Sequence, residues 1–182
     1  MMIVPIMSVD LYELTNNHLW RTEFLFRKWA EPPPEYMHIE QDAGGWTERG
    51  WLDFTLQNYY LLLNCGFRMR PTGGTATGVH PVPLGFGRVY VQLPSGFTYE
   101  GWMKGLNEGR SFVTTGPLLS VETDGQPPGA TLSQADALKV NRRVTGWAKS
   151  ATPLTGIELL AAGQVVRRLT PENRPLPGGG FE

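Results

Sequence analysis

The sequence predicts an α/β domain followed by a small antiparallel β-module. Residues 47–66 read as one long helix with a broad apolar face, and such a face needs a sheet to cover it. Residues 88–93 alternate Val89, Val91 and Leu93 with Tyr90 and Gln92, the period of a strand, and a short helix and a returning strand follow. After Pro117 the pattern changes to short period-two runs, one ended by an Asp124-Gly125 turn and two flanking Ala162-Gly163 as a hairpin, which suits an antiparallel β-module with one wet face.

The elements follow in order. Residues 2–14 contain the apolar run IVPIMSVDLYEL, in which Val9, Leu11 and Glu13 share one face of a strand. The next segment, NNHLWRTEFLFRKWA, has helical spacing: Asn16 or Asn17 can cap it, and the pairs Trp20/Phe24 and Leu25/Trp29 fall four apart. Pro32-Pro33-Pro34 ends it, because each proline removes an amide donor and fixes its own φ. The long helix starts at Thr47, with Glu48 favouring its positive end. Trp51, Phe54, Leu61, Leu62 and Cys65 recur along it, and Gly66 stops it. Pro71 to Gly87 is rich in Gly, Thr and Pro and reads as loop. Thr98 caps a short helix, Tyr99 to Asn107, that Gly109 closes, and Arg110 to Thr114 returns as a strand. Leu118–Thr123, a face of Leu138, Val140, Arg142 and Val144, and the hairpin 157–169 make up the module. The tail RPLPGGGFE has nothing to bury and reads as disordered.

Composition narrows the classes of function. The 182 residues are 41% hydrophobic and 18% charged, which suits a globular chain. A net charge of −1 gives no field to recruit polyanions, and Arg142-Arg143 and Arg167-Arg168 are too short for a nucleic-acid footprint. No window reads as a membrane span. The N-terminal residues do not read as a signal peptide, although a longer relative could be exported. The single cysteine, Cys65, excludes an intrachain disulfide and reads as a buried, inert thiol.

The stretch from Asn58 to Pro117 carries a likeness. Its segments LLNCGF, GGTATGVH, PLGFGRVYV, YEGWMKGL and GRSFVTTGP resemble, in order and wording, the C-terminal half of the catalytic domain in the CehA/McbA family of metallohydrolases, within the PHP superfamily. The likeness spans roughly residues 5 to 170 and is looser beyond Pro117, where IELLAAGQVV fits a strand pair in the β-module of relatives. It implies a partial PHP-type βα barrel over residues 1–117, a small antiparallel β-sandwich-like module over 118–170, and a tail over 171–182. It also implies that the HxH half of the metal site would lie upstream.

Such sites hold divalent ions (Zn, Mn or Fe) that activate water against an ester, carbamate or phosphoester. The sequence itself has three histidines, His18, His38 and His80, and no HxH, HExxH or CxxC. The resemblance therefore points to residues that meet in space. VDLYE stands where relatives place an acidic strand end, which puts forward Glu13 as a ligand, with Asp10 second. Asn17 and His18 follow at the mouth of the same element, His18 as a ligand and Asn17 as a substrate contact. In the glycine loop, Ala76 stands where relatives carry an aspartate, and a methyl group cannot coordinate a cation. Either His80 substitutes, or fewer metals are kept, or the site is lost. Arg88, at the start of the following strand, can clamp an anion or pair with Glu13. His38 reads as a surface residue, and Arg110 as a structural ion-pair partner.

The sequence thus carries two functional readings. One is a fragment of a metal-dependent hydrolase acting on a small molecule. The other is a non-catalytic binding module with Trp46, Trp51, Tyr59 and Tyr60 as candidate surface aromatics, although core packing also explains them. An opened barrel would further expose sheet edges and invite self-association.

Overall fold

A computed structural model of the chain describes residues 4, 6–20, 32–76, 82–132 and 141–182. The helix expected over 16–30 lies largely outside them. What is described there is a 3-10 turn, Asn17–Leu19, after strand β1 (Leu11–Thr15). A second 3-10 turn, Glu35–Met37, leads into the small ribbon β2 (Gln41–Asp42) and β3 (Gly45–Trp46). Helix α1 (Glu48–Asn64) follows, capped by Thr47, whose Oγ1 accepts from the Gly50 amide at 3.0 Å. Gly66, at φ +89°, supplies the left-handed stop.

Strand β4 (Arg70–Gly73) runs parallel to β1, so β1, α1 and β4 form a strand–helix–strand crossover. The loop expected over Pro71–Gly87 therefore begins as a strand. Pro71 is tolerated because the amides of Arg70 and Gly74 make the bonds to β1, to Asp10 O at 2.9 Å and Thr15 O at 3.0 Å. Pro71 occupies the alternate position, whose missing N–H would point away from β1. Strand β5 (Arg88–Val91), helix α2 (Tyr99–Asn107) and strand β6 (Ser111–Thr114) come next, with β5 and β6 antiparallel and β6 beside β4. Thr98 caps α2 through the Gly101 amide at 3.0 Å. Gly105 lets α2 close on β5: a β-carbon there would stand 2.5 Å from Val91 Cγ1.

The remaining strands are β7 (Leu118–Thr123), β8 (Val144–Lys149), β9 (Ile157–Ala161) and β10 (Gln164–Leu169). They pair antiparallel as β7–β8 and β9–β10. Asp124-Gly125 and Ala162-Gly163 both have two successive positive φ values, the geometry of the expected tight turns. Of the predicted strand face, Leu138 and Val140 lie outside the described residues. The β9–β10 turn rests on the end of α1, where Asn64 Nδ2 donates to Ala162 O at 3.1 Å and Gly163 packs on the Tyr60 ring.

The barrel expectation is overturned. Among the described residues the ten strands form five two-stranded sheets, only β1–β4 is parallel, and there are two α-helices. A βα barrel needs a closed ring of parallel strands, each followed by a helix. Here the chain turns back on itself after β5 instead. An antiparallel module after Pro117 is compatible with the observed ribbons.

Two further readings change. Cys65 is exposed, because it is the C-cap of α1, past the buried Leu62. The tail, expected to be disordered, is drawn into backbone pairs: Ser150 and Phe181 exchange both bonds at 2.8 and 2.9 Å, as do Arg174 and Glu182 at 2.9 Å.

The core comprises two clusters along α1. Met37, Ile39 and Trp46 pack with Trp51 and Phe54 near its start. Tyr59, Leu62 and Met69 pack with Tyr12, Leu14 and Tyr60 near its end. Trp46 is 3% exposed and Tyr59 8%, so both are core residues.

Candidate functional site

The C-terminal ends of β1 and β4 form a rim. Ligands of parallel α/β sheets gather at such ends, because the loops there are free to carry function while the strands fix them. Glu13 and Thr15 would share a face in a regular strand. The β1–β4 register shifts between them, and the shift leaves Glu13 exposed and Thr15 buried. Asn16 then does two things. Its Oδ1 accepts from the Asn17 amide at 2.6 Å, which caps the 3-10 turn, and its Nδ2 donates to Glu13 Oε2 at 2.8 Å. The Glu13 carboxylate is thereby held at the mouth, and a β-carbon at Gly74 would sit 3.3 Å from its Oε1.

The glycine loop is tied to β1 by the next residue. Asn17 Nδ2 donates to Ala76 O at 2.9 Å, and the Ala76 amide donates to Asn17 Oδ1 at 3.1 Å. The side chain thus spends both ends of its amide on one residue's backbone. Thr75 does the same on the other flank: its Oγ1 accepts from the Gly87 amide at 2.9 Å and donates to Gly87 O at 3.2 Å. Gly73 and Gly87 enclose the Thr15 hydroxyl, which has no hydrogen-bond partner among the described residues. A side chain at either glycine would displace it.

The candidate residues are placed as follows. Glu13 and Asn17 stand on one rim. Arg88 opens β5 just behind the glycine loop, and its Nη1 donates to Gly85 O at 2.9 Å while its Nε is shut off from solvent without a partner. It makes no ion pair with Glu13 among the described residues. Asp10 lies before the start of β1 and pairs with Arg70 at 3.2 Å, away from the rim. The His18 side chain and all of His80 lie outside the described residues. His38 is exposed, and Arg110 pairs with Glu108 at 2.8 Å, as the sequence suggests for each.

A divalent ion needs several converging donors. Among the described residues no three His, Cys, Asp or Glu side chains converge on one point, so they do not by themselves fit a metal. What the rim offers is one oriented carboxylate, a backbone-lined glycine loop and a neighbouring guanidinium. Sequence reasoning missed the Asn17–Ala76 clamp and the Asn16 bond to Glu13. Tandem asparagines directly after a strand were the available signal, since asparagine side chains bond nearby backbone.

No known family model, curated protein or solved structure matches this chain.

Proposed function

We propose that this chain is part of a metal-dependent hydrolase of the CehA/McbA type, acting on an ester, carbamate or phosphoester, and that it contributes the rim bearing Glu13. The observation that carries the reading is the crossover from β1 through α1 to β4. It sets the Glu13 carboxylate beside the glycine loop at the C-terminal end of a parallel pair, and the motifs of residues 58–117 resemble that family. A divalent cation in such a site supplies a bound hydroxide and stabilises developing negative charge. The described residues give it one carboxylate, too few to hold it. His18 and His80 would have to join Glu13 to hold one ion, and an HxH pair of the kind the resemblance implies would complete a larger cluster.

A second reading is a non-catalytic binding module, and the Asn17–Ala76 clamp favours it. At the position where relatives carry a ligating aspartate, this chain has a methyl group whose backbone N–H and C=O are both engaged by Asn17.

Metal analysis of the purified protein, paired with hydrolysis of 4-nitrophenyl acetate and bis(4-nitrophenyl) phosphate, separates the two. The hydrolase reading expects near-stoichiometric zinc, manganese or iron that is lost in His80→Ala and weakened in Glu13→Gln, with the folded far-UV spectrum kept. Protein that binds none of these ions and hydrolyses neither ester overturns it in favour of the module.

A further inference from the structure

A concavity lies apart from the rim, with none of Glu13, Asn17 and Arg88 in its lining, so the inference does not depend on the hydrolase reading. It is a cleft of about 340 Å³ between the β5–β6 pair and the β7–β8 ribbon. Its volume falls at the lower end of the range for small-molecule sites, about 300–1,000 Å³. The register explains its floor. Tyr90 pairs with Phe112 across β5 and β6, so their side chains share a face. The two rings lie nearly parallel, at 11°, with centroids 5.3 Å apart. Tyr90 is 42% exposed, and on the other wall Leu118 and Trp147 face the gap, Trp147 at 44% exposure. The two rings are stacked on one another, and a stacked pair opposed by an open indole suits a flat ring system that extends the stack, because aromatic faces prefer offset stacking.

Gln92, Arg110, Ser111, Ser120 and Glu122 give the cleft its polar groups. Arg110 lines it; Glu108 Oε2 holds its Nη2 at 2.8 Å, and its Nε is shut off from solvent without a partner. That donor carries a desolvation cost that an acceptor would relieve after a small pivot of the side chain. Glu122 also lines the cleft and Glu108 already neutralises the guanidinium, so an uncharged acceptor fits better than an anion.

We infer that this cleft binds an uncharged, flat one- or two-ring aromatic compound carrying a carbonyl acceptor, with the ring between the Tyr90–Phe112 stack and Trp147 and the carbonyl toward Arg110.

The test is an amide and indole NMR titration of the whole chain with 2-naphthamide. Saturable shifts confined to residues 90–92, 110–112, 118–122 and the Trp147 indole are expected. Trp147→Ala, which removes an exposed ring and leaves the core intact, should weaken binding roughly two- to tenfold, the range for losing one aromatic contact. The anion of the same shape, 2-naphthoate, should bind more weakly than the amide. The inference is overturned by shifts that do not saturate or that fall elsewhere, by equal affinity in Trp147→Ala, or by equal or tighter binding of naphthoate. It is also overturned if the free protein dimerises at NMR concentration and Trp147→Ala makes it monomeric, because a second copy then fills the cleft.

Discussion

Up to Thr114 the chain buries Met37, Ile39, Trp46, Tyr59, Leu62, Met69, Val82 and Leu106, whereas beyond Thr114 no described residue is buried. Yet the later strands are no less regular. β7 and β8 pair over six residues without a break, while β1–β4 in the first region and β9–β10 in the second each carry one register shift. In the first region a helix covers paired strands and apolar side chains leave water. In the second, ladders form with Leu118, Leu119, Trp147 and Val166 still facing solvent, Val166 at 58% exposure. Backbone pairing and core formation are separate events, and a two-stranded ribbon alone is marginal in water. The first region can hold a rim in place. The second is positioned by few ties, such as Asn64 to Ala162 and Arg68 to Gly129 at 3.2 Å.

Two tryptophans set the scale of this contrast. Trp46 packs 4.4 Å from Trp51 and 4.6 Å from Phe54 by ring centroid. Trp46→Ala should cost about 3–5 kcal/mol of unfolding free energy, the range for removing a large buried aromatic. Trp147→Ala should stay within about 0.5 kcal/mol, as for an exposed site. Urea denaturation of both variants checks this, and similar losses would erase the contrast.

The glycine loop gives the next largest effect. A methyl group at Gly87 would meet the Gly74 carbonyl oxygen, which is backbone and cannot swing away. Gly87→Ala should cost about 1–3 kcal/mol, as overpacking does. Gly116→Ala, where a β-carbon meets open space, serves as the control and should change little in the same urea titration.

Alkaline pH acts more gently, through buried and half-buried tyrosines of the first region. Burial, with the Tyr60 charge adding to it, pushes the Tyr59 phenol from 10.0 up to about 12, and burial also raises Tyr12 and Tyr60. Below pH 10 the folded and unfolded chains both keep the proton. Between pH 10 and about 12 the unfolded chain releases it while the fold retains it, so stability is full below 10 and falls as pH rises through that window. Urea midpoints measured on either side of pH 10 should show the decline. Tyr59→Phe should flatten it, after an initial loss of about 1 kcal/mol for the bond to Met69 O.

Local chemistry was legible where one residue decides one geometry. Thr47 and Thr98 cap the helices, Gly66 stops α1, and Asp124-Gly125 and Ala162-Gly163 make the turns, because each acts within its own neighbours. β4 was not legible, since Pro71 and Gly73 are poor strand formers, and only the β1 carbonyls and β6 alongside make a strand of them. The barrel was inferred from likeness in wording. Pairing partners are set by long-range contacts that wording does not encode, and the chain pairs β5 with β6 antiparallel. At the rim, Glu13 at a strand end was readable. The Asn17–Ala76 clamp, which joins residues 59 apart in sequence, was not.

Native-state amide hydrogen exchange tests the division between the regions most directly. The account expects the slowest exchange in α1 at Asn58–Leu62 and in β6, with opening energies near that of global unfolding. It expects β8, β9 and β10 to exchange orders of magnitude faster although all three are paired in ladders. Equal protection of the β9–β10 hairpin and α1 would contradict it, for the ribbons would then share a core that the first region does not hold alone.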